Sequence, residues 1–169
     1  MWFPESVARY VVLATLLGVA GCGFQLRGTE AGGLESLNIM GASAAPLTSK
    51  SFRQALEDRD VQIVPAGAGV ISVHMLDERS HRRSVATTDV FDAAEYELRL
   101  ELDVSISRGE NFLLEAATLV SQRVYAVALN NLSASEEEQK LLLTEMRTSL
   151  AEQLLRRVNF LVRPAPLIR

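Results

Sequence analysis

The stretch Glu95, Tyr96, Glu97, Leu98, Arg99, Leu100, Glu101, Leu102, Asp103, Val104, Ser105, Ile106, Ser107 alternates polar with apolar side chains at every step. Successive side chains of a strand point to opposite faces, so this period describes a β-strand with one face against a core and one face wet. A slip of one residue would turn every apolar side chain outward, so the pattern also fixes the register. Arg108, Gly109, Glu110 and Asn111 are turn residues and predict that residues 112–129 return antiparallel as the second arm of a hairpin. That arm is largely apolar on both sides, with Phe112, Leu114, Ala116, Thr118 and Val120 on one and Leu113, Ala117, Leu119, Tyr125 and Val127 on the other. Such an arm has surface to give to a partner.

Beyond the hairpin, residues 130–134 read as a loop. Ser135 followed three residues later by Glu138 has the form of a capping box. Leu143, Met146, Leu150, Leu154 and Val158 then recur at three- and four-residue steps, which predicts a long helix with one apolar stripe. Glu136, Glu137 and Glu138 at its start and Arg156 and Arg157 at its end complement the helix dipole. Residues 163–169, with Pro164 and Pro166, do not continue the helix and read as a flexible tail.

On the N-terminal side of the hairpin, Asp77 to Asp92 is the least regular part of the chain and reads as a loop. It holds Arg79, His81, Arg82 and Arg83 in five positions. A solvated basic run is the plain reading of such a cluster. The functional reading is recognition of phosphate or carboxylate, because each guanidinium presents a planar fork of donors to such groups. Further upstream, Leu37 to Met40 reads as a short strand, and a helix from Thr48 or Ser49 to Asp58 carries Phe52, Ala55 and Leu56 on one face. Val61 to Val64 and Val70 to Leu76, parted by the turn Pro65 to Gly69, read as one interrupted strand. The expected fold is α+β, with two helices packed on one face of a mostly antiparallel four-stranded sheet.

Composition narrows the function classes. The chain is 48% hydrophobic and 22% charged, as globular domains are, and its net charge of −4 argues against nucleic acid as a partner. His74 and His81 with a single cysteine make no zinc set. There is no Gly-rich phosphate loop, no recognisable Ser and His pairing and no defensible pair of catalytic carboxylates, so the expectation is a protein without cofactor that is not an enzyme.

The single cysteine is Cys22, preceded by Val19, Ala20 and Gly21 and by the short apolar run Tyr10 to Ala20 behind Arg9. That arrangement resembles the bacterial lipobox, whose cysteine carries a thioether-linked lipid and becomes the mature N-terminus. Residues 1–21 are then a lipoprotein signal peptide, and residues 22–162 one domain. The apolar run falls short of the roughly 20 residues a spanning helix needs. Cys22 is followed by Gly23 rather than Asp, which in such lipoproteins fits delivery to the outer membrane.

Cys22, Gly23, Phe24, Gln25, Leu26, Arg27, Gly28 is similar to the mature N-terminus of the LptE family of LPS-assembly lipoproteins. Ala94, Glu95, Tyr96 resembles the start of that family's central hairpin, and Glu138, Gln139 with Ala151 to Arg157 resembles its C-terminal helix. The resemblance implies an outer-membrane lipoprotein that plugs the β-barrel LptD on the periplasmic side and assists lipopolysaccharide assembly at the cell surface. Two positions that are basic in the family stand here as Asp89 and Ser135, whereas Arg123 matches a basic position on the hairpin. The expected lipopolysaccharide contacts are therefore Arg79, Arg82, Arg83 and Arg123. The alternative is an outer-membrane-tethered binding lipoprotein for another envelope ligand, which a shared fold alone does not separate from the first.

Overall fold

The computed structural model describes residues 34–87, 93–128 and 132–162. Its elements are β1 (Ser36–Met40), α1 (Pro46–Glu57), β2 (Gln62–Ile63), β3 (Ile71–Thr87), β4 (Ala93–Arg108), β5 (Asn111–Ala128) and α2 (Leu132–Val162). The strands form one sheet in the order β2-β1-β3-β4-β5. β1 runs parallel to both of its neighbours, and β3, β4 and β5 form an antiparallel meander. The α+β arrangement is as expected, with five strands in place of four. The turn at Pro65 to Gly69 does not merely interrupt a strand: Gln62–Ile63 pairs with one side of β1 and Ile71 onward with the other.

The alternation over residues 95–107 appears directly in the packing. Leu98, Leu100, Leu102, Val104 and Ile106 are buried in a core that also takes Phe52 and Leu56 of α1 and Met146, Leu150, Leu154, Leu155 and Val158 of α2. Both helices bury an apolar stripe on this side of the sheet, and removing that apolar area from water is the main favourable term holding the layers together.

Three local expectations are corrected. Helix α1 starts at Pro46 with Ala45 at the cap position and no side-chain cap, so Thr48 and Ser49 are buried inside the helix instead of capping it. Proline suits the first helical position because its φ is already set and its missing N–H has no intrahelical partner there. Helix α2 starts at Leu132, three residues ahead of Ser135, which is buried within the first turns. It continues to Val162, so Glu136 to Glu138 and Arg156 with Arg157 all lie inside the helix rather than in its terminal turns. The third correction is the largest: residues 77–87 are not a loop but the outer half of the 17-residue strand β3. Cys22, Asp89 and residues 163–169 lie outside the described residues.

Candidate functional site

The arginine cluster owes its geometry to a bulge. Residues Ile71 to Met75 pair in one register with β4, and the register shifts between Met75 and Asp77. The extra residue, Leu76, reverses the phase of everything after it. Ile71, Val73 and Met75 are buried under the helices. Beyond the bulge the even-numbered residues take that side: Glu78 is opposite Leu102, Ser80 opposite Leu100 and Arg82 opposite Leu98. Asp77, Arg79, His81 and Arg83 turn to the helix-free face, opposite Asp103, Glu101, Arg99 and Glu97. Strand alternation thus separates Arg82 from Arg79 and Arg83.

On the helix-free face the guanidiniums are already engaged. Arg79 donates to Asp103 at 2.6 Å, to Asp77 at 2.7 Å and to Glu101 at 3.4 Å. Arg83 makes a two-bond pair with Glu97 at 2.8 and 3.1 Å. Arg99 donates to Glu101, and Thr118 donates to Asp103 at 2.6 Å. These bonds hold the carboxyls of Asp103, Glu97 and Glu101 below the usual carboxylate range, through Arg79, Arg83 and Arg99 respectively. The Asp103 hydrogen bond raises Arg79 in turn. The result is a zigzag of ion pairs across β3 and β4.

The helix side is different. The Arg82 guanidinium lies 4.7 Å from the centre of the Tyr96 ring and donates to Gln139 Oε1 of α2 at 3.1 Å. The Tyr125 hydroxyl donates to the same oxygen at 2.8 Å, and the two tyrosine rings are 6.2 Å apart. A cation over an aromatic face is attracted by the ring quadrupole without being neutralised. Arg123 of β5 is opposite Leu98 from the other side, so Arg82 and Arg123 flank Leu98 on one face of the sheet. Arg123 donates to the Gln122 carbonyl at 2.8 Å. Neither arginine has a carboxylate partner among the described residues.

Of the four arginines expected to act together, the structure therefore brings Arg82 and Arg123 onto one face and turns Arg79 and Arg83 to the other. Tyr96, Tyr125 and Gln139 complete the first group; Tyr96 and Gln139 fall in stretches that carry the family resemblance, but nothing in the sequence joins them to Arg82. A second polar contact joins sheet to helix nearby: Arg147 of α2 donates to Glu78 at 3.0 Å, with both side chains largely buried. No group of His, Cys, Asp and Glu fit to hold a metal occurs among the described residues, and none of their helices is long and apolar enough to cross a membrane.

The family described as Lipopolysaccharide-assembly, LptE, matches residues 34–158. The LPS-assembly lipoprotein LptE of Photorhabdus laumondii subsp. laumondii is 27% identical over 158 residues, covering 89% of this chain and 86% of its own. The fold is similar to that of a minor lipoprotein from Acinetobacter baumannii, with a TM-score of 0.62, 19% identity and coverage of 75% of this chain and 92% of that one. The rare lipoprotein B from Shewanella oneidensis gives a TM-score of 0.60 and 20% identity over 73% of this chain and 92% of its own. At these identities the structural likeness is one of fold.

Proposed function

This chain belongs to the LptE family of lipopolysaccharide-assembly proteins, and we propose that it serves as the lipoprotein subunit of an outer-membrane lipopolysaccharide translocon, seated as a plug in the β-barrel LptD. The observation that carries the plug reading is the helix-free face. There guanidiniums and carboxylates alternate across β3 and β4 from Arg83 and Glu97 to Arg79 and Asp103. Such a face suits water or a polar wall and is costly against lipid tails, and the interior of a large barrel is polar. In this reading Cys22 carries the lipid that tethers the domain to the periplasmic side of the outer membrane, and the protein performs no catalysis of its own. Phosphate groups of lipopolysaccharide meet Arg82 and Arg123, whose guanidiniums pair with no carboxylate among the described residues.

The test is affinity purification of the tagged chain from detergent-extracted membranes, with the bound proteins identified by mass spectrometry. A large β-barrel recovered in about equal amount supports the plug. Recovery of lipopolysaccharide or another envelope ligand with no barrel would instead favour a tethered binding lipoprotein. Radiolabelled palmitate uptake by the wild type and by Cys22→Ala tests the anchor separately, and absence of label in the wild type overturns it.

A further inference from the structure

The two edges of the sheet are unlike. One is β2, only two residues long, and short edge strands are a common defence against unwanted pairing. The other is β5, 18 residues long, with neither lysine nor proline and with Glu115 and Arg123 as its only charged side chains. Its register with β4 shifts near the hairpin turn but runs without interruption from Ala117 to Ala128. No strand pairs with its outer side among the described residues. A long, regular, weakly charged edge is the template on which another polypeptide adds a strand.

Beside this edge stands a second feature. The side-chain amide of Gln153 donates to the Val120 carbonyl at 3.3 Å, a long bond that an added strand would have to displace at this one position. Around it Leu119, Gln153, Arg156, Arg157 and Phe160 line an open groove of about 410 Å³. Arg156 and Arg157 are exposed and have no carboxylate partner among the described residues, and with α2 continuing to Val162 they do not cap its end. Phe160 is 75% exposed, and Val124, on the opposite side of β5, is 58% exposed.

We propose that β5 accepts an extended segment of a partner polypeptide as a sixth strand, with acidic side chains toward Arg156 and Arg157 and apolar side chains on the Val124 side. Main-chain bonds along the edge supply affinity, and the alternation of charge and apolar character supplies register and choice of partner. A second copy of this chain fits poorly, because in edge-to-edge pairing of two β5 strands each strand offers its partner's pair of guanidiniums only one acid, Glu115. The proposal is independent of the barrel reading, since the segment is defined by its chemistry and not by its source.

The experiment uses the full mature chain in detergent and a fluorescent nine-residue peptide alternating glutamate with valine. Two companions are an N-methylated version of that peptide, which keeps the side chains and removes strand hydrogen bonds, and a peptide alternating lysine with valine. The acidic peptide is expected to bind, and N-methylation to weaken it about tenfold or more. Arg156→Glu with Arg157→Glu, at exposed positions that should leave the thermal melt unchanged, is expected to weaken the acidic peptide by a similar factor and to bind the lysine peptide instead. Failure of the acidic peptide to bind overturns the proposal, as does equal binding of the N-methylated peptide or insensitivity to the charge swap. Sedimentation of the same samples supplies the remaining outcome: a dimer that excludes the peptide assigns the edge to a second copy and also overturns it. None of these results bears on whether a barrel co-purifies.

Discussion

Arg79 reaches across from β3 to hold Asp103 of β4 at 2.6 Å, and the same guanidinium also pairs with Asp77 and Glu101. Because Asp103, Glu97 and Glu101 are all held below the usual carboxylate range by arginine, their pairing links stability to pH. A carboxylate whose pKa is lowered in the folded state contributes stability that is present above its unfolded value, roughly 4, and is lost as pH falls through the folded value. The wild type is therefore expected to lose thermal stability on acidification below about pH 4. Arg79→Gln removes the Asp103 part of that linkage and a smaller part at Glu101, so its melting temperature lies below the wild type at pH 7 and the gap narrows toward pH 2. Thermal melts of both proteins between pH 2 and 7 check this, and a constant gap would mean the pairing is absent in solution.

A different outcome is expected where the ion pair is buried. Glu78 and Arg147 have side chains only 11% and 16% exposed, and the second carboxylate oxygen of Glu78 has no partner among the described residues. Removing one member leaves a charge stranded between sheet and helix, at a cost of about 3 kcal/mol, whereas replacing both by apolar groups is often nearly neutral. Arg147→Met is expected to destabilise strongly, and Glu78→Leu with Arg147→Met much less than the sum of the single changes. Urea unfolding of the double-mutant cycle measures the coupling.

The bulge that sets the phase of β3 has its own support. Gly41, with φ of 68°, lies against the Met75 carbonyl, and a Cβ built there would overlap that oxygen and crowd the His74 ring. Gly41→Ala meets both a left-handed backbone and a backbone clash, and is expected to cost at least about 2 kcal/mol. The neighbouring Ala42→Gly serves as the control. A loss of stability at Gly41 no larger than that control would mean that β1 does not pack as closely on the bulge as the structure shows.

What could be read from the residues follows from which elements obey a single period. β4 was legible because Leu98 to Ile106 keep strict alternation and only one face is covered. β3 was legible as far as Met75 and then lost, because Leu76 adds a residue to the strand and the helix-side face beyond it is made of Glu78, Ser80, Arg82 and Ser84, of which only Glu78 is partly buried. No hydrophobic signal marks that half as strand, and its polar groups are answered by Arg147 and Gln139, some sixty residues away in sequence. The two-faced apolar character of β5 has a similar cause. Shifts beside Val104 and Ile106 change its phase, so Phe112 pairs with Ser107 and is exposed while Leu119, Tyr125 and Val127 are covered. The helix starts lie a few residues earlier than the hydroxyl caps suggest, because Pro46 opens α1 and Leu132 opens α2, which leaves Thr48, Ser49 and Ser135 inside the helices.

The arginines give the sharpest test of the site, because two sets of the same residue type differ only in the face they occupy. Arg82 and Arg123 flank Leu98 on the helix side with no carboxylate partner among the described residues, while Arg79 and Arg83 are closed into ion pairs on the other. A phosphate approaching Arg79 or Arg83 must displace a carboxylate that is already bonded in good geometry, so little attraction is left over. Arg82→Gln with Arg123→Gln is expected to weaken lipopolysaccharide binding about tenfold or more, with the loss smaller at higher salt and for dephosphorylated lipopolysaccharide. Arg79→Gln with Arg83→Gln is expected to change affinity little while lowering stability at neutral pH. Titration of immobilised lipopolysaccharide at two salt concentrations compares the pairs. Equal losses for both would show that the ion-pair zigzag opens on binding, and a loss confined to Arg79 and Arg83 would move the phosphate contact to the helix-free face.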